Sequence, residues 1–257
     1  MSEDQDLGPL ISRLQRAENV VALTGSGISA ESGIPTFRGA EGLWKTYRAQ
    51  DLATPQAFAR DPNLVWEWYD WRRGLMSTKL PNAGHQVLAS WETTIPNFTL
   101  ITQNIDGLHS RAGSRNILEL HGNIWKLRCT QEGTLVENTE FPLSPLPPLC
   151  PDCGAMLRPH VVWFGESLNP NVIQQAFSIS ARCDLMFVVG TSAIVHPAAS
   201  LPLAALEAGA AVVEINPEPT PLTDHLEFSF RGMAGDILPR IDRALQEGTR
   251  AGGGDDS

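Results

Sequence analysis

The sequence predicts an α/β protein in which a doubly wound parallel sheet carries a second, smaller domain. Three observations predict it: short β-branched and aliphatic runs recur along the chain, helical stretches fall between several of them, and two long segments interrupt the alternation without joining it. With 257 residues, 42% of them hydrophobic, the chain is long enough for a large domain with a subdomain. A chain of this size buries roughly 70–75% of its unfolded surface.

The expected strands are 20–24, 98–102, 117–120, 185–189 and 212–215, short β-branched or aliphatic runs of the kind that buried parallel strands show. Helices are expected at 84–92, after the turn Pro81-Asn-Ala, at 171–181 and at 197–207. Each precedes another strand, the pattern of right-handed crossovers. The interruptions are 33–76, rich in Trp, Pro and Arg, and 129–161, Pro-rich and holding a cysteine pair. Both are assigned to the smaller domain. The expected large domain is therefore discontinuous, 1–32, 81–120 and 166–247, with 33–80 and 121–165 forming the small one and 248–257, glycine-rich, a disordered tail.

Charge and composition exclude several functions. A formal net charge of −10 disfavours sequence-independent binding of nucleic acid or anionic lipid and favours cationic partners such as lysine-rich segments. No apolar run approaches the ~20 residues of a membrane span. The acidic N-terminus has neither an apolar signal core nor an Arg-rich transit character, so a cytoplasmic location is expected. Four cysteines, two of them in Cys150-Pro-Asp-Cys153, suit a metal site in a reducing compartment better than a disulfide scaffold.

The strand ends carry the chemistry, because ligands of open α/β sheets sit beyond the carboxyl ends of the strands at a topological switch point. Gly25-Ser-Gly27 follows the first strand, where a tight turn can present free backbone N–H groups to phosphate oxygens. The spacing is not G-x-G-x-x-G, and taken alone the turn is equally an ordinary strand-to-helix connection. Pro35-Thr-Phe-Arg38 adds a planar cation and a ring able to grip a pyrophosphate and cover a base; a surface ion pair is the plainer role for Arg38. Gln103, Asn104 and Asp106 end the second strand with donors and acceptors suited to sugar hydroxyls and a carboxamide, or to an Asx turn. His121, Gly190-Thr-Ser192 and Asn216-Pro-Glu218 end three more. A lone His at a strand end is commonly structural, but several candidates on one rim point to a nucleotide site.

Two further groups lie in the interruptions. Cys129-x2-Glu132-x17-Cys150-x2-Cys153 has the spacing of a zinc ribbon with Glu in one ligand position, or else is a knuckle held by Leu143, Leu146 and Leu149. Cys183 is expected as an inert core thiol. Tyr69 and Arg72 stand three apart in a helical stretch and share a face, as a carboxylate receptor or as part of an aromatic packing helix.

Taken together, Gly25-Ser-Gly-Ile-Ser-Ala-Glu-Ser-Gly-Ile-Pro-Thr-Phe-Arg38, Thr102-Gln-Asn-Ile-Asp-Gly-Leu-His109, Leu118-Glu-Leu-His-Gly122, Arg158-Pro-His-Val-Val-Trp-Phe-Gly-Glu166 and Gly190-Thr-Ser192 resemble the sirtuin family, NAD-dependent protein lysine deacylases, over residues 17–245. Ala49-Gln-Asp-Leu-Ala-Thr-Pro55 and Tyr69-x-x-Arg72 resemble its class III branch, whose members remove succinyl, malonyl and glutaryl groups. The resemblance implies a Rossmann-like large domain, with NAD and acyl-lysine entering a shared cleft from opposite sides. It implies an NAD site of Gly25, Ser26, Gly27, Ile28, Glu31, Thr36, Phe37, Arg38, Trp44, Gln103, Asn104, Ile105 and Asp106, with Gly190, Thr191, Ser192, Asn216, Pro217, Glu218 and Ala234 on the adenosine side.

By the same implication His121 is the general base toward a ribose hydroxyl, Asn104 a second catalytic residue, and the products are free lysine, nicotinamide and 2′-O-acyl-ADP-ribose. The substrate peptide adds as a strand beside 161–165, contacting Val161, Trp163 and Phe164; Ala53 leaves room for a longer acyl chain, and Tyr69 with Arg72 pairs with its distal carboxylate. Two departures from the family pattern stand out. Ser26 occupies a position usually held by Ala, and Glu132 replaces a zinc cysteine, which puts the metal itself in question. The expected partners are acyl-lysine proteins, with no nucleic acid and no membrane, and a monomer is expected. An ADP-ribosyltransferase or a non-catalytic NAD- or ADP-ribose-binding module are the rival readings.

Overall fold

The computed structural model describes residues 6–35, 43–44 and 47–252. The chain runs α1 (Gly8–Arg16), β1 (Asn19–Thr24), a 3-10 turn (Ser26–Ser29), β2 (Leu43–Trp44), β3 (Tyr47–Arg48), α2 (Ala49–Leu52), α3 (Pro55–Arg60), α4 (Pro62–Ser77), α5 (Ala83–Thr94), β4 (Asn97–Thr102), α6 (Leu108–Ala112) and β5 (Ile117–Glu119). It continues through β6 (Gly122–Cys129), β7 (Leu135–Glu137), β8 (Leu157–Val161), α7 (Pro170–Ser180), β9 (Leu185–Val189), α8 (Leu201–Glu207), β10 (Ala211–Ile215), β11 (Phe228–Phe230) and α9 (Ala234–Gly252).

Six parallel strands form one sheet in the order β11-β10-β9-β1-β4-β5. The chain moves outward from β1 through β4 to β5, then crosses to β9 on the other side, so the switch point lies between β1 and β9. All five expected strands are present. Their largely apolar character has a direct cause in the two-residue period of a strand. Val20 and Ala22 enter one core with Trp91, Phe98, Phe187 and Leu238, while Val21 and Leu23 enter a second with Met186, Val188 and Leu201 on the opposite face.

Local signals set the helix starts. Thr54 caps α3 by accepting from Ala57 N–H, Asp61 caps α4 from Leu64 N–H, and Asn82 caps α5 from Gly84 and His85 N–H; Pro55 and Pro62 occupy first positions whose N–H needs no partner. α2–α4 pack on a separate three-stranded sheet, β7-β6-β8, around a third core that includes Leu52, Trp66, Trp68, Tyr69, Leu127, Leu157 and Trp163. Arg73 fastens the two together. It is fully buried, donates to the carbonyls of Ile124, Asn138 and Glu140 at 2.8 Å each, and lies 4.7 Å from the Trp125 ring centre.

Three expectations need correction. The tail was expected from 248, but α9 continues to Gly252. Arg240 and Arg243 keep its exposed side polar while Leu238 and Ile241 are buried, an amphipathic pattern that outlasts the glycine-rich composition signal. The helix expected over 197–207 begins instead as a 3-10 turn, Ala198–Ser200, before α8, and the edge strand β11 had been overlooked for its brevity. Among the described residues no helix is long and apolar enough to cross a membrane.

Candidate active site

The ladder runs one residue past each strand and aligns the candidate residues on one rim. Gly25 N–H donates to Val189 carbonyl (3.0 Å), Gln103 N–H to Thr24 carbonyl (2.9 Å) and Gly190 N–H to Ile215 carbonyl (2.9 Å). Side chains stitch the same rim: Asn104 Nδ2 donates to Gly25 carbonyl at 3.0 Å, and Gln103 Nε2 to Thr191 Oγ1 at 2.9 Å.

Two N–H groups of the glycine turn are already engaged. The N–H groups of Gly25 and Gly27 are not free for phosphate; the second donates to the Gly190 carbonyl at 2.8 Å. A Cβ on Gly27 would stand 2.7 Å from Gly190 Cα, and one on Gly190, whose φ is +59°, would stand 2.4 Å from Ile28 N. The glycines therefore allow two strand-end loops to touch at the switch point. Ile28, beneath them, is buried core.

His121 sits at the same rim. Its Nδ1 lies 2.9 Å from the Gln103 carbonyl, which can only accept, so Nδ1 carries the proton and Nε2 the lone pair. Burial holds the imidazole below its ordinary pKa, with the Gln103 carbonyl partly opposing it. His121, bonded to the Gln103 carbonyl, and Asn104, bonded to the Gly25 carbonyl, thus stand at the same strand-end rim as the glycine turn.

The remaining expected cofactor residues divide. Ser26, Ile105 and Ser192 are half-buried near the rim, and Pro217 and Glu218 are exposed beyond β10, where Asn216 Nδ2 donates to the Glu218 carbonyl at 2.7 Å. Asp106 is buried, takes the Ser29 hydroxyl and Leu108 N–H at 2.8 Å each, and has its pKa raised by burial. Glu31 instead caps α9 through Gly235 N–H at 2.7 Å, and the Ala234 methyl is buried in the main core. Thr36, Phe37 and Arg38 lie outside the described residues, and of Trp44 only the backbone, in β2, is described.

On the other side of the rim, Tyr69 is buried against Trp66 and Trp68, and its hydroxyl accepts from Trp163 Nε1 at 2.9 Å. Burial pushes its pKa up to about 12. Arg72, half-buried one turn on, lies 5.1 Å from the Trp68 ring centre; burial lowers its pKa, opposed by its interaction with Tyr69. Ala53 is buried and accepts from Phe164 N–H at 2.9 Å. Val161 and Trp163 are buried and Phe164 is half exposed. β8 forms one edge of its sheet.

The ligand atoms of Cys129, Glu132, Cys150 and Cys153 lie within 4.8 Å of one another, with Cys129 and Cys153 sulfurs 3.5 Å apart. Tetrahedral zinc with Zn–S bonds of about 2.3 Å separates its sulfurs by roughly 3.8 Å, so the set fits such an ion. The Glu132 N–H, donating to Cys129 Sγ, lowers that thiol's pKa. The alternative knuckle loses one member: Leu143 is buried and Leu146 packs on the core, but Leu149 is exposed. Cys183 is a buried thiol raised to about 11 by burial, as expected of an inert one.

Sequence and fold comparisons agree with this geometry. The profile of the Sir2 family matches residues 25–197. The chain belongs to the Sir2 family. An NAD-dependent protein deacylase of Aquifex aeolicus is 52% identical over 229 residues, covering 89% of this chain and 96% of that protein. A Sir2 homologue solved as an NAD complex matches with TM-score 0.89 at 47% identity, covering 95% of each chain. A Sir2 protein solved with a p53 peptide and NAD+ matches with TM-score 0.82 at 32% identity, covering 96% of this chain and 100% of that one.

The Sir2 site also contains polar residues that sequence reasoning missed. Behind Asn104, Ser29 accepts from its amide at 3.3 Å; Thr24 Oγ1 meets His109 Nε2 at 2.9 Å, and the His85 and His109 rings lie 4.8 Å apart. Burial lowers His85 to about 4 and His109 well below its usual value, so both are neutral at pH 7. Glu214, buried on β10, accepts from Thr220, Thr223, Ser229 and Arg231 and laces the loop beyond that strand. The available signal was a polar residue inside an apolar run, as at Glu214 and Thr24.

Proposed function

We propose that this Sir2 protein is an NAD-dependent protein lysine deacylase acting on acidic acyl groups, succinyl and malonyl, as well as acetyl. The observation that carries the reaction is the convergence of His121, Asn104 and the Gly25–Gly27 turn on one rim through the Gln103 backbone. The relatives' names as NAD-dependent deacylases and the NAD complex of a similar chain support it.

Bound here, NAD would supply a nicotinamide leaving group and a ribose hydroxyl that takes the acyl group, with one water consumed to release free lysine and leave 2′-O-acyl-ADP-ribose. Gln103, Asn104 and Thr191 offer polar contacts for it at the rim. His121 Nε2 holds the lone pair that takes a proton from a ribose hydroxyl. The peptide adds to the open edge of β8 as an extra strand. Tyr69 and Arg72, together on α4, pair with the distal carboxylate of the acyl chain. Cys129, Cys150, Cys153 and Glu132 hold zinc as a structural ion.

Mass spectrometry of acetyl-, malonyl- and succinyl-lysine peptides, incubated with and without NAD, tests this reading. Loss of the acyl mass only with NAD is expected. Protein-bound ADP-ribose without acyl release overturns it.

A further inference from the structure

We propose that Glu214 is a positioning residue for NAD: its buried carboxylate fixes the shape of the 216–223 loop beyond β10, and through that loop the fit of the adenosine half. The inference deepens the NAD reading above and rests on it, with Asn216, Pro217 and Glu218 on the adenosine side as the sequence resemblance implies. Glu214 lies on β10 opposite Val188 of β9, on the sheet face where Val188 and Val212 enter the core and an apolar side chain is the default. It is wholly buried, and Arg231 Nη1 lies 2.9 Å from its Oε2. Exchanging such a buried ion pair for apolar residues of similar volume is often neutral or stabilising, so global stability is a poor reason for it. Its other partners supply a better one.

Glu214 accepts the hydroxyl protons of Thr220, of Thr223 at 2.7 Å and of Ser229 at 3.0 Å. A hydroxyl has one proton, so Thr220 and Thr223, committed to the carboxylate, turn their lone pairs to the loop itself. Thr220 N–H donates to Thr223 Oγ1 at 2.8 Å, Leu222 N–H to Thr220 Oγ1 at 3.1 Å, and Arg231 Nη2 to Thr223 Oγ1 at 2.9 Å. Arg231 Nη1 also reaches the Glu218 carbonyl at 3.2 Å, the same oxygen that takes Asn216 Nδ2. Pro217, Pro219 and Pro221 are exposed and have no N–H to give to a ladder, so this polar lattice and the buried Leu222 set the loop's shape. Burial raises the pKa of Glu214, but the hydroxyl bonds and Arg231 more than offset it and keep the group an anion, an acceptor for every one of these donors. The loop leaves β10 at the rim: the Ile215 carbonyl takes Gly190 N–H at 2.9 Å, and the Gly190 carbonyl takes Gly27 N–H at 2.8 Å.

The test uses three variants. Glu214→Gln puts an amide N–H₂ where a hydroxyl proton now binds, Thr223→Val removes one node of the lattice, and the Glu214→Met/Arg231→Met double variant removes its centre without leaving a buried charge. Calorimetric titration with NAD, and with ADP-ribose, should give a Kd raised roughly 5–10-fold in each, the size of one hydrogen bond, and KM for NAD should rise in step while kcat and KM for acetyl-lysine peptide stay within about twofold. A merely structural loss does the opposite: it lowers the folded fraction, and so kcat per mole of protein, and leaves KM in place. Unchanged Kd for NAD, a fall in kcat alone, or a KM for peptide that rises as much as that for NAD overturns the role of Glu214. Should Glu214→Gln fail to fold, Thr223→Val decides by the same readings. If the unaltered protein binds neither NAD nor ADP-ribose, the NAD reading itself fails, a distinguishable result.

Discussion

Replacing Arg73 by methionine separates the structural arginine of α4 from its neighbour Arg72. Arg73 is fully buried, and its guanidinium donates to three carbonyls at 2.8 Å from β6 and the 138–140 strap, with Trp125 beneath it. Burial lowers its pKa to about 10, short of neutralising it at pH 7. Methionine matches the aliphatic stem but leaves the three acceptors without a donor. Removing one partner from a buried charged network costs about 3–5 kcal/mol, and for a chain of this length each kcal/mol lowers Tm by roughly 2–4 °C. Urea titration and thermal melting followed by circular dichroism should show a loss in that range, with Arg73→Lys intermediate because a single ammonium cannot reach three divergent carbonyls. A loss below about 1 kcal/mol refutes the clamp, since that is the size expected of a single exchangeable hydrogen bond.

Arg72→Met should lower desuccinylation at least tenfold while largely sparing deacetylation, in line with the roughly 2–5 kcal/mol lost when a buried charged pair is truncated; equal loss of both activities, by mass spectrometry of the peptides, counts against the carboxylate role. As the base proposed above, His121 would act when neutral, and burial holds its pKa below the ordinary 6.5, so the acid limb of kcat/KM should fall below that value. An acid limb at or above that value contradicts the assignment. His85, lowered to about 4, binds a proton in the unfolded chain before it does in the folded one; stability is therefore full above pH 6.5 and declines, by up to about 1.4 kcal/mol per pH unit, between 6.5 and 4. His85→Gln should flatten that slope in urea titrations across the window. Protein purified without added zinc should carry the metal stoichiometrically by elemental analysis and melt lower after chelation, and Glu132→Cys should resist the chelator better. Metal-free protein with unaltered melting refutes a structural ion.

The sheet was legible because its central strands are buried on both faces, which leaves largely apolar runs that need no partner to be recognised. Helix starts at Thr54, Asp61 and Asn82 were local in the same sense, written in a capping side chain and the residues just after it. The strand-end residues could be named for the same reason, as each follows its run directly. Other features depend on which distant segments meet. The glycines at 25 and 27 could be read as a phosphate turn, but their close backbone contact with Gly190 came into view only once β1 and β9 were placed side by side. His85, His109 and Ser29 come from separate segments and become one neutral network only after packing removes water from them. Arg72 and Arg73 are adjacent and alike in sequence, yet a turn of about 100° per helical residue lays one over the Trp68 ring and sends the other to β6. Composition and periodicity thus determined the layers and the rim, because those are set by short-range pattern. Which donors face one another across 20 to 150 residues of chain was decided only by the tertiary structure, because hydrogen-bond direction and burial exist only between segments that have met.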